Sequence, residues 1–286
     1  MIYPARQFLL TEGLMKERRS DLIILTECSI MIALGTVLSV LKLFELPYGG
    51  SITLASMLPV AIIAYRHGIK YGAVTAFSVS LIQMLLGLKN FSYFTTWESF
   101  VALAIFDYVA AFGVFALAGV FKGKIKKQSA AISAGILLCC LLRYLCHVIS
   151  GATIWAGLSI PTDAALVYSL SYNATYMIPD TIILVACGAY VCSALDITGK
   201  NLTRIRTDKV SGGRLWCLIG SGASALAAII TDTVLIFSKL QNAESGEFDI
   251  TAIAQVNWIA IAIVTAVCAA ISIALFIISN KISENK

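Results

Sequence analysis

The chain has 286 residues, 59% of them hydrophobic and 13% charged, with a mean hydropathy of +0.87. An average soluble domain carries about 25% charged residues, so this composition excludes a soluble protein. The net charge of +5 is then read as membrane topology, because short cytoplasmic loops retain Lys and Arg, and it gives no reason to expect nucleic-acid binding.

The first 20 residues, MIYPARQFLLTEGLMKERRS, carry most of their charges after the first apolar patch and offer no small-residue cleavage site. They read as a cytoplasmic leader, not a secretory signal. Eight continuous apolar runs follow, near 24–42, 52–65, 71–88, 98–121, 129–156, 166–192, 215–238 and 252–279. A hydrocarbon core about 30 Å thick needs about 20 apolar residues per helix, and only the second run is clearly short. An outer-membrane barrel would show alternating segments of about 10 residues instead. The predicted fold is an all-α polytopic membrane protein: a six-helix unit over 21–195, a polar basic linker over 196–214 and a two-span extension over 215–286. No convincing repeat relates the halves, so an inverted-repeat carrier gains no support.

With the N-terminus inside, 17 of the 21 Lys and Arg fall on cytoplasmic segments, and both termini are predicted cytoplasmic. The run KGKIKK at 122–127 reads as a positive-inside loop, with contact to anionic membrane lipid as a second reading. The eight cysteines lie in or beside predicted spans without a C-x-x-C pair and read as small buried hydrophobes. With only His67 and His147 available, a histidine-based zinc site has too few ligands, so no metal and no cofactor is expected. There is no G-x-x-x-x-G-K-[ST] motif, so this sequence has no P-loop with which to hydrolyse ATP.

The ionisable residues inside spans are the informative ones. Asp107, Arg143, His147, Asp180 and Asp232 each fall within an apolar run. A charged group at mid-helix costs on the order of 2.5–3.5 kcal/mol on the translocon scale, so it faces a partner, the bundle interior or a polar cavity. An Asp107–Arg143 pair that only fixes helix packing is one reading. The other is a pocket, because Arg143, His147, Gly151 and Trp155 recur every four places along one helical face. Tyr168, Ser169, Tyr172, Asn173 and Tyr176 offer hydroxyls and an amide on the next span, with 168/172 and 169/173 sharing sides. A carboxylate, guanidinium, imidazole, amide and indole on three consecutive spans suit a small, flat, polar and cationic molecule. In the extension, Asp232 within AAIITDTVLIF is read as hydrogen-bonded to a nearby Thr or backbone group, with a regulatory role as the alternative.

FDYVAAF (106–112), LLRYLCHVISGATIW (141–155) and YSLSYNATYMIPD (168–180), with PYGGSITLASMLPV (47–60) and YRHGIKYG (65–72) upstream, resemble the substrate-binding (S) subunits of energy-coupling factor (ECF) thiamine transporters, the ThiT family. The resemblance covers about residues 21–195. It implies a vitamin-binding membrane subunit whose partners are thiamine and an ECF module of two cytoplasmic ATPases and one transmembrane coupling protein. It also implies a substrate-binding set of Trp97, Asp107, Tyr108, Arg143, His147, Gly151, Trp155, Tyr168, Ser169 and Asn173. One departure is Gly50, which stands where some members carry a tryptophan. Ser29 and Ala33 form a small-x-x-x-small face, read either as ordinary packing or, in the family context, as the docking face for the coupling protein. The expected role is capture of thiamine for ATP-driven uptake by a chain that is not itself an enzyme. The alternatives are an S-subunit for another vitamin or a pyrimidine precursor, and a proton-coupled carrier using Asp107, Arg143 and His147 as a relay. Beside a cationic ligand, Arg143 is expected to order Asp107 or nearby carbonyls.

Overall fold

A computed structural model describes residues 3–155, 165–199, 201–205, 212–240 and 250–284. The acidic stretch AESGEFD (243–249) between the last two apolar runs, and Lys200, Arg206, Lys209 and Lys286, lie outside the described residues. Among the described residues, seven helical segments are long and apolar enough to cross a membrane.

The first helix, α1 (Tyr3–Val40), includes residues 3–20 of the predicted leader, which run on without a break into the apolar part Asp21–Val40. A strap of extended chain follows. Strands β1 (Lys42–Glu45) and β2 (Ser51–Thr53) pair antiparallel around a tight turn at Pro47–Gly49. This small sheet lies between the first two helices.

The predicted second span is corrected by α2 (Leu58–His67). Ten residues reach only about 15 Å at 1.5 Å per residue, and Leu58 to Tyr65 are all buried. Its apolar composition therefore serves burial inside the bundle and not contact with lipid. The chain still returns to the side it left: Glu27 of α1 meets Arg66 Nε at 2.6 Å and His67 Nε2 at 2.9 Å at the end of α2. Gly68, at φ +82°, closes α2 with its N–H on the Ala64 carbonyl and opens α3 (Ile69–Leu86). Glycine takes that left-handed conformation without steric cost.

A short helix α4 (Leu88–Phe91) leads to span four, which is not one regular helix. It runs as α5 (Trp97–Leu103), a π-helical stretch Ala104–Ala110, a short α6 (Ala111–Gly113) and a 3₁₀ stretch Val114–Leu117. Asp107 lies on the π-helical part, an irregularity common at functional sites. α7 (Gln128–Thr153) packs along α8 (Ala165–Ala194). A Cβ at Gly135 of α7 would overlap the Ala118 carbonyl oxygen, so glycine permits the approach of α7 to the end of span four.

The small pair β3 (Leu195–Asp196) and β4 (Thr203–Arg204) leads to α9 (Gly212–Leu240) and α10 (Trp258–Glu284). These two helices pack on each other through Ser221–Ser272 and Ser224–Cys268 hydrogen bonds. Thr265 donates to Asp232 Oδ2 at 2.6 Å, the threonine bond expected for that carboxylate. All eight cysteines are free thiols, four buried and four partly buried.

Candidate functional site

A cavity of 830 Å³ opens where the strap, the α3–α4 junction, span four, α7 and α8 converge. It lies within the range of about 300–1,000 Å³ typical of small-molecule sites. The four-residue periodicities lead into it. Arg143, His147 and Gly151 line it from one face of α7, and Trp155 just past the helix end continues that line. Tyr168, Tyr172, Asn173 and Tyr176 line it from α8, and Asp107, Tyr108 and Phe112 from span four.

The charged groups pair differently from the expected Asp107–Arg143 contact. Asp107 Oδ1 lies 3.0 Å from His147 Nδ1, and Asp107 Oδ2 accepts from Trp155 Nε1 at 3.0 Å. Asp107, on the π-helical stretch, thus meets His147, one turn beyond Arg143, and Trp155, just past the end of α7. Arg143 instead faces Asp180 of α8, Nη1 to Oδ2 at 3.6 Å, and its guanidinium covers the Phe112 ring at 4.7 Å. Its expected role of ordering Asp107 is therefore replaced by pairing with Asp180. Asp180, just after the in-helix Pro179, also accepts through Oδ1 from the backbone N–H and hydroxyl of Thr53 at 2.9 and 3.0 Å. One carboxylate thus ties the strap to α8 and neutralises an arginine.

The remaining polar atoms are arranged as closely. Asn173 Nδ2 donates to the Ser169 and His147 carbonyls, and its Oδ1 accepts from Tyr176 at 2.7 Å. Ser169 is fully buried and does not line the cavity. Its hydroxyl donates to Val148 O and accepts from Asn173 at 3.2 Å, so it orients Asn173. Tyr108 accepts from Asn90 at 3.2 Å and donates to Gly87 O. Lys42 and Glu45 at the rim pair with each other at 2.7 Å. His147 Nε2 and Arg143 Nε are buried without a hydrogen-bond partner. Buried polar atoms of this kind call for an explanation, and a bound ligand is one.

One expected site residue lies away from the cavity. Trp97 is 73% exposed, stacks on Phe100 at 5.9 Å and does not line the cavity. As the first residue of α5, behind its N-cap Thr96, it points outward. The aromatics around Trp155 are instead Tyr48, Tyr93 and Phe94, with ring centroids at 6.2, 5.8 and 4.9 Å. Sequence reading passed over Tyr48, Tyr93 and Asn90 because they sit in turns and short connections without a period to follow. Away from the cavity, Ser29 and Ala33 are both exposed on α1.

Fold and site together define a multi-pass helical membrane protein with an open pocket lined by polar and aromatic side chains. The sequence profile of the family described as "Thiamine transporter protein (Thia_YuaJ)" matches residues 25–198, and the chain belongs to that family. It is similar to the thiamine transporter ThiT of Bacillus subtilis (strain 168), 30% identical over 200 residues, which cover 66% of this chain and 97% of that protein. Its fold is similar to that of a solved ThiT from Listeria monocytogenes, with a TM-score of 0.50 and 23% identity over 60% of this chain and 94% of that one. The family match ends before α9 and α10.

Proposed function

We propose that the pocket binds thiamine and that the chain is the substrate-capturing subunit of an ATP-driven ECF transporter. The observation that carries this reading is a carboxylate set beside aromatic rings in the cavity. Arg143 and Asp180 offset each other, and Asp107 remains, held by an indole N–H and an imidazole. Lys42, Glu45 and Lys89 also line the cavity, but Asp107 forms no ion pair with Lys or Arg among the described residues, and it is the carboxylate next to the aromatic faces. A fixed thiazolium cation supplies the matching charge and stacks favourably on π-faces. With Nδ1–H donating to Asp107, His147 Nε2 is an acceptor, and Asn173 and the tyrosines add polar groups for an aminopyrimidine.

The energy for transport is assigned to partners, since the sequence contains no P-loop. The proposed partners are two cytoplasmic ATPases and a transmembrane coupling protein, met through the exposed Ser29–Ala33 face of α1. The proposed orientation puts both termini in the cytoplasm, as the Lys and Arg distribution favours. We also propose the division into a leader, a six-helix binding unit over 21–195, a linker and a two-span extension.

The purified chain is expected to bind thiamine without ATP, other subunits or metal, read by quenching of tryptophan fluorescence. Equal affinity for the pyrimidine half alone would move the assignment to a precursor-binding subunit. In the same titration, Trp155→Ala is expected to weaken binding by about 1–3 kcal/mol through loss of the ring and its contacts. Trp155→Phe keeps a ring but loses the N–H to Asp107 and should fall between. Equal losses for Ala and Phe would assign the effect of Trp155 to its hydrogen bond alone. Trp216 and Trp258, on α9 and α10 beyond the family match, should leave binding unchanged.

A further inference from the structure

Tyr48 and Ala55 are the non-glycine residues with positive φ among the described residues, at 65° and 55°. A bulky side chain is rarely found there, whereas glycine takes the conformation freely. The strap holds Tyr48 in place from both directions. Leu46 N–H donates to Gly50 O at 2.7 Å, Gly50 N–H reaches the Tyr172 hydroxyl at 3.3 Å, and Thr53 is bound to Asp180. A strained residue persists only where its surroundings determine it, and such residues cluster at ligand sites.

The strained backbone delivers the Tyr48 ring to the cavity wall. Its centroid lies 6.2 Å from Trp155 with the planes at 61°, and 5.8 Å from Tyr93 at 64°. Tyr93 and Trp155 are 5.8 Å apart at 56°, so three mutually inclined rings line one end of the cavity. Trp155 donates to Asp107, which sets this aromatic corner beside that carboxylate. Position 50 has no room for a further aromatic. A Cβ there would stand 2.8 Å from the Tyr172 hydroxyl and 2.9 Å from the Tyr176 ring. Tyr48 is the aromatic by which the strap lines the cavity.

We propose that Tyr48 is a specificity-determining residue of this pocket, adding from the strap an aromatic wall that selects a cationic heteroaromatic ring over a neutral ring of the same shape. This rests on the thiamine reading. A turn shaped for packing alone would gain from glycine at position 48. A cation next to a carboxylate, by contrast, draws added stabilisation from an aromatic face.

The test measures binding of thiamine, and of an uncharged analogue with carbon in place of the thiazolium nitrogen, to the full-length protein and its Tyr48→Phe, Tyr48→Leu and Tyr48→Gly variants. Thermal stability of each ligand-free variant is recorded in parallel. Phe should bind thiamine nearly as wild type does. Leu should lose about 3- to 30-fold for thiamine and far less for the neutral analogue. Gly should raise the ligand-free Tm while losing affinity, because it relieves the strained backbone. Leu binding thiamine like wild type, or losing both ligands equally, overturns the proposal. So does a Gly variant that loses stability and affinity together, which marks Tyr48 as a packing residue. If wild type binds no thiamine, the functional reading falls and takes this inference with it. Wild-type binding with unaffected variants removes the inference alone.

Discussion

Asp107→Asn is expected to lower thiamine affinity by about 2–4 kcal/mol, within the range for truncating one side of a buried charge pair. The amide is nearly isosteric and still offers an oxygen to Trp155 Nε1–H or His147 Nδ1, so the loss isolates the charge from the shape. If Asp107 serves the ligand, adding Arg143→Gln should not restore affinity, because Arg143 pairs with Asp180 and not with Asp107. The measurement is a double-mutant cycle on thiamine affinity and on thermal stability in detergent. Affinity rescued in step with stability would sink the ligand role of Asp107.

Asp180→Asn is expected to have the largest effect on stability, about 3–5 kcal/mol, because it strands a buried arginine without its counter-charge. The asparagine oxygen keeps an acceptor for Thr53, so the strap retains its anchor and the loss reports the ion pair. The double change Asp180→Asn with Arg143→Gln should recover most of the stability, read as Tm in detergent. A double variant no more stable than Asp180→Asn alone would count against the pairing.

The α7 face was legible because Arg143, His147 and Gly151 share one regular helix, where a spacing of four residues is a statement about direction. The same holds for Tyr168, Tyr172 and Tyr176 of α8. What these groups touch was not legible. Both Arg143–Asp107 and Arg143–Asp180 satisfy the rule that an intramembrane charge needs a partner, and only the heights of three helices against each other separate them. Trp97 shows the same limit. The family resemblance put it in the pocket, but the helix phase set at Thr96 turns it outward.

Composition and apolar run lengths alone determined that the chain is a polytopic helical membrane protein, because the cost of unsatisfied backbone in lipid leaves a long apolar run little choice but helix. The motifs from FDYVAAF to YSLSYNATYMIPD likewise pointed to the family without coordinates. Tertiary structure alone decided that the second apolar run is a short buried helix and that the chain before it is a strap bound to α8. It also decided that a tyrosine in that strap lines the cavity. The reason is range: the bonds that fix the strap join Gly50 to Tyr172 and Thr53 to Asp180, 122 and 127 residues apart. A local pattern of apolar and polar residues reports which face of a helix is buried, and carries no record of which distant backbone will meet it.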